Sequence, residues 1–99
     1  MMQRFFHGTS PAAWDAIQQE GVLWGKRDCG PEYARFAPNR CTYLTDSQEI
    51  AARFGDVVLR VWYDPDDGFK RNICNRWDKD CWQFRIYEPI LLCWVTRVI

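Results

Sequence analysis

The chain predicts an α+β fold, with two helices packed on a mainly antiparallel sheet. Two segments carry helix start and stop signals: Ser10-Pro11 opens one that Gly21 closes, and Asp46 opens one that Gly55 closes. The order of elements is the other indication. Strand, helix, short strand, loop, strand and helix are followed by several more strands, not by a regular alternation of strand and helix. At 99 residues the chain has room for a single domain, 1–99, with one modest core.

Arg4-Phe5-Phe6-His7 reads as the first strand. Ser10 then suits a helix N-cap, with Pro11 in the first helical position, where a missing N–H costs nothing. The helix runs through Trp14 and Ile17 to Glu20, and Gly21 ends it as a left-handed cap. Val22-Leu23-Trp24 is a short apolar piece behind it. From 25 to 39 the pattern fails, broken by Gly25, Gly30, Pro31 and Pro38 and made basic by Lys26, Arg27 and Arg35. Loops of this length in small domains carry function or move.

The next predicted strand is Cys41-Thr42-Tyr43-Leu44-Thr45. Asp46 caps the second helix, with Glu49 three residues on as in a capping box. Ile50, Ala51 and Phe54 share one face. Val57 to Tyr63 alternates as a strand, with Val57, Leu59, Val61 and Tyr63 on one face. Asp64-Pro65-Asp66-Asp67-Gly68 is a turn cluster. Residues 69–80 read as irregular and mixed in charge. Trp82 to Tyr87 alternates as a strand, and Ile90 to Ile99 reads as one last strand, two-sided and therefore central.

Composition narrows the function classes. Lys and Arg total 13 and so do Asp and Glu, so the whole-domain charge that marks many nucleic-acid binders is absent. Ten of the basic residues are Arg, the side chain suited to bidentate contacts with phosphate or carboxylate. The opening MMQRFFHGTS holds no apolar run of signal-peptide length, and no stretch approaches a membrane span. A cytoplasmic protein without a membrane partner is the expectation. The five cysteines, Cys29, Cys41, Cys74, Cys81 and Cys93, are odd in number and none pairs as CxxC, so neither a disulfide framework nor a metal centre is expected. They read as small core residues. The six tryptophans read as mostly core, with Trp77 in its charged stretch as the one at the surface.

His7 is the only histidine, at the end of the first strand. A strand-end histidine most often bonds its own backbone surroundings. Here Gly8 follows, which lets backbone approach a ligand, and a helix N-terminus begins soon after. Tyr43 in mid-strand is either packing or a platform for a flat, cationic ring.

These residues, in this order, resemble the ADP-ribosyltransferase superfamily. Phe6-His7-Gly8-Thr9-Ser10 before a helix ending Glu20-Gly21 is similar to its first block. Tyr43-Leu44-Thr45 followed by Ala51-Ala52-Arg53-Phe54-Gly55-Asp56 and Val57–Val61 is similar to its second. Trp82-Gln83-Phe84-Arg85-Ile86-Tyr87-Glu88-Pro89-Ile90 is similar to its third. The likeness is to the His-Tyr-Glu branch, which includes the poly(ADP-ribose) polymerases and diphtheria-type toxins.

The resemblance implies a split antiparallel sheet with NAD, as substrate, in the cleft between its halves. It also implies a cut at the nicotinamide–ribose bond and transfer of ADP-ribose to a macromolecular acceptor, protein more than nucleic acid. His7 would bond the adenosine-side ribose, with Thr9 beside it. Gly8 would offer backbone groups to the nicotinamide amide, and Tyr43 would stack on the nicotinamide ring. Arg35 is assigned to the pyrophosphate or to target recognition. The third-block residue is usually Glu. Position matching puts Gln83 there, and Glu88 is the nearest carboxylate, five residues on. An amide bonds a ribose but does not ionise. A weak or inactive relative acting as a protein-binding effector or inhibitor is therefore the alternative. A lesser one is an RNA 2′-phosphotransferase, against which Tyr43 argues while Arg53 and Arg85 keep it open.

Overall fold

The computed structural model describes residues 2–25, 42–64, 71–76, 82–86 and 88–99, with backbone alone at 71–76 and 82–85. The strands are β1 (Gln3–Thr9), β2 (Val22–Leu23), β3 (Thr42–Leu44), β4 (Val57–Tyr63), β5 (Arg71–Arg76), β6 (Trp82–Ile86), β7 (Ile90–Leu91) and β8 (Val95–Arg97). The helices are α1 (Pro11–Glu20), between β1 and β2, and α2 (Gln48–Ala51), between β3 and β4. The fold is α+β, and each strand pairing among the described residues is antiparallel.

The strands form a sheet β1-β4-β8, a sheet β3-β6-β5 and a pair β2-β7. One isolated bridge, Phe6 to Thr45, joins the two larger sheets. In β4 the predicted alternation holds. Val57, Leu59, Val61 and Tyr63 enter the main core with Phe5, Ile17, Leu44 and Ile86. Val58 points the other way and is buried as well, in a smaller cluster with Phe6 and Ala51. Two covered faces make β4 the central strand.

Helix α1 forms where its local signals place it. Ser10 Oγ accepts from the Ala13 amide at 3.1 Å, Pro11 is in the first turn, and Gly21 closes the helix at φ 84°. Ile17 is buried and Trp14 packs partly against the core.

The second helix differs from expectation. Its cap is Ser47, not Asp46: Ser47 Oγ accepts from the Ile50 amide at 3.2 Å. Thr45 is committed to the bridge with Phe6, so the chain spends Asp46 on a bend before a helix can start. Glu49 then falls in the first turn, where a carboxylate suits the helix dipole. The helix is a single turn, tightened into a 3₁₀ turn at Ala52–Phe54. Ala51 is fully buried on the shared face, while Phe54 stays 44% exposed.

Three further expectations are corrected. Segment 69–80 is not wholly irregular, because Arg71–Arg76 forms β5 at the edge of its sheet. Its RNICNR sequence has no apolar alternation to signal a strand, and polar residues suit an edge. The last segment is not one central strand. A 3₁₀ turn at Leu92–Trp94 divides it, so that β7 pairs with β2 and β8 forms an edge beside β4. Finally, Trp62 and Trp94 are surface residues at 39% and 45% exposure, and Cys93 is exposed rather than core. The predicted loop 25–39 after Gly25, the turn beyond Asp64, and Trp77 lie outside the described residues.

Gly8 and Gly55 let the α2 segment lie directly on β1. A Cβ at Gly8 would collide with the Ala51 carbonyl, and one at Gly55 with the Thr9 carbonyl. Both obstacles are backbone and do not yield as a flexible side chain would. Gly8→Ala is expected to cost about 1–3 kcal/mol, read as a lower urea midpoint. An unchanged midpoint would show that β1 and α2 are not in close contact in solution.

Candidate functional site

The site begins where the sheet comes apart. Phe6 and Thr45 exchange both backbone hydrogen bonds, Phe6 N–H to Thr45 O at 2.7 Å and Thr45 N–H to Phe6 O at 2.9 Å. A continued ladder would set Gly8 opposite Tyr43. The pairing instead stays a single bridge, and the His7 ring takes up the opening. Its Nδ1 lies 2.8 Å from the Tyr43 carbonyl oxygen.

The backbone edge of Gly8 faces this opening. Its partner in β4 is Val58, whose N–H and C=O are spent on the C-terminal residues Val98 and Ile99. Polar groups alternate sides along a strand, so Gly8, like Phe6 two residues before it, directs its N–H and C=O away from β4. Gly8 therefore presents one donor and one acceptor toward β3.

A carbonyl oxygen only accepts, so His7 Nδ1 carries the proton in that bond. Burial holds the ring below the ordinary imidazole value of 6.5, and the bond to Tyr43 offsets part of that effect. A neutral ring with Nδ1 protonated leaves Nε2 as an acceptor. His7 and Thr9 line a cavity of about 210 Å³ between β1 and α1, with Ile17, Glu20 and Trp24 on its other walls. This arrangement suits a ligand that donates from a hydroxyl.

The remaining candidates are placed as follows. Tyr43 is half-buried between the buried Thr42 and Leu44. It stands opposite Arg85 in the β3–β6 register, and Gln83 is two positions along β6, beyond Leu44–Phe84. The backbone of Gln83 is thus brought to the Thr45 end of β3, next to the bridge. It pairs with Asn75, where β5 carries an extra residue between Asn72 and Asn75. Glu88 lies elsewhere. Its Oε1 accepts from the Tyr63 hydroxyl at 2.8 Å. Tyr63 is four residues along β4 from Leu59, the partner of His7, which is about 13 Å of strand. Arg35 falls outside the described residues.

One feature of the site escaped the sequence reading. The Gly25 amide donates to Thr42 Oγ1 at 2.8 Å, which ties together the residues that flank 26–41. A threonine at a buried strand position was the available signal, because its hydroxyl needs a partner there. In the sequence Glu20 reads as a helix end and Trp24 as packing, and no spacing marks them as cavity walls.

The histidine sets a pH dependence. Its folded-state affinity for protons is below that of the unfolded chain, so the unfolded chain binds more protons under mild acid. Stability is full above the ordinary imidazole range and falls as pH drops from about 6.5 toward the lowered folded value. His7→Gln should flatten that stretch of the melting-temperature profile, whereas an identical slope in the variant would remove His7 as its source.

No family model matches this chain, and no curated protein or solved structure matches it either.

Proposed function

We propose that this chain is an NAD-dependent ADP-ribosyltransferase acting on a macromolecular acceptor, protein rather than nucleic acid. The observation that carries the reading is the opening beside the Phe6–Thr45 bridge. There the His7 ring reaches the Tyr43 carbonyl through Nδ1, and the backbone edge of Gly8 faces β3. In this reading the Gly8 N–H and C=O bond the nicotinamide amide, whose carbonyl accepts and one of whose two N–H groups donates. Tyr43 stacks on the pyridinium ring, a flat cation suited to an aromatic face. His7 accepts from a ribose hydroxyl, with Thr9 beside it.

The reaction breaks the bond between ribose C1′ and the nicotinamide nitrogen. The bonding pair leaves with nicotinamide, which becomes neutral, and positive charge develops on the ribose. The acceptor's nucleophile then bonds C1′ and releases its proton. Gln83 holds the 2′-hydroxyl of that ribose. A β-bulge at the register of Gln83 supports this assignment, since bulges are over-represented beside active sites.

The amide at position 83 also favours a second reading: NAD binding with weak turnover, in a protein that works by binding a partner. An amide does not supply the negative charge that stabilises an oxocarbenium-like transition state.

Nicotinamide release from NAD, with a candidate acceptor mixture present, separates the two. Release is expected from the purified protein, lost in Tyr43→Ala and raised about tenfold or more in Gln83→Glu. A melting-temperature scan tests binding alone. NAD at 100 times its dissociation constant should add about 2.7 kcal/mol of stability. No shift at millimolar NAD would sink both readings of the cleft, and a shift without release would select the second.

A further inference from the structure

A second concavity, of about 310 Å³, lies at the Tyr63 end of β4, away from the opening at His7. Its walls gather four of the seven exposed large hydrophobic residues among those described: Met2, Trp62, Leu91 and Trp94. A pair of exposed indoles in one hollow is unusual in a chain that has a core to fill, and large exposed apolar groups that cluster mark binding sites. Two carboxylates, Asp64 and Glu88, line the same hollow, and no basic residue does so among the described residues. The Tyr63 hydroxyl holds Glu88 in place through the 2.8 Å bond to Oε1.

We propose that this concavity binds an organic cation, an ammonium group clothed in carbon. Tryptophan is the best aromatic face for such a charge. A neutral apolar ligand would strip water from the Glu88 carboxylate without replacing it, which is costly. An anion would meet like charge. A hydrated metal ion would gain nothing from the indoles. The volume is at the small end of ligand sites and suits a compact cation. The site is independent of the reading of the His7 cleft and stands or falls without it.

The test is a titration followed by the indole N–H signals in a two-dimensional NMR spectrum. The six tryptophan signals are assigned with single Trp→Phe variants. Choline is the free-cation probe, and a short peptide bearing trimethyllysine is the macromolecule-borne one. The control is 3,3-dimethylbutan-1-ol, the neutral carbon isostere of choline. Saturable shifts at Trp62 and Trp94 are expected with at least one cation. The tighter of the two identifies the source. The neutral isostere should bind about fivefold more weakly or worse. Trp94→Ala and Glu88→Gln should each weaken binding by a similar factor. Glu88→Gln keeps an oxygen for the Tyr63 hydroxyl, so a loss there reports charge rather than misfolding. No shift with either cation, or equal binding of the neutral isostere, would overturn the proposal.

Discussion

Two hydrogen bonds between Phe6 and Thr45 join the halves of this protein. On one side lies β1-β4-β8, on the other β3-β6-β5, and no other strand pairing connects them among the described residues. A full ladder would have used the backbone of Gly8 and Tyr43 for mutual pairing. A single bridge leaves that backbone facing an opening. The histidine that follows the bridge then enters it and donates to Tyr43. The short length of the contact is thus what creates the opening, and the first residue past it is the one that reaches across.

The same bridge governs the second helix. Thr45 is held to β1, and the chain must turn at once to lie over it. It does so with one bend, one helical turn and a 3₁₀ turn, pressed so close that Gly8 and Gly55 have no room for a side chain. Gly8 reads in the sequence as a place where backbone approaches a ligand; what the structure sets against its Cα is a neighbour within the protein. Gly8 meets the Ala51 carbonyl there while its N–H and C=O edge faces the opening. One residue without a Cβ serves packing and exposure together.

How much of this was legible follows from where each signal resides. Helix α1 is specified by residues at its own ends, Ser10, Pro11 and Gly21, and these are visible in the sequence. The cap of α2 is not, because Asp46 and Ser47 are both competent caps and a tertiary bond at Thr45 decides between them. Strand β5 pairs through its backbone at a sheet edge, and its polar side chains carry no periodic trace. The run from 90 to 99 is apolar enough for a strand throughout, and composition does not reveal the 3₁₀ turn that moves it between sheets. In the candidate site, residue type and order single out His7, Gly8 and Tyr43. What binds His7 is a main-chain carbonyl, however, and main chain is the same at every position of a sequence. The wide separation of Glu88 from His7 depends on register and was likewise beyond reach.

The bond from Gly25 to Thr42 has a consequence for how such a chain can diversify. It fixes the two ends of an intervening stretch beside the cavity at His7, independently of what the stretch contains. The entropy of closing a flexible segment between fixed ends rises only with the logarithm of its length, by about 0.6 kcal/mol per doubling. The clamp works as a socket: it sets the spacing of its two ends from the described residues alone.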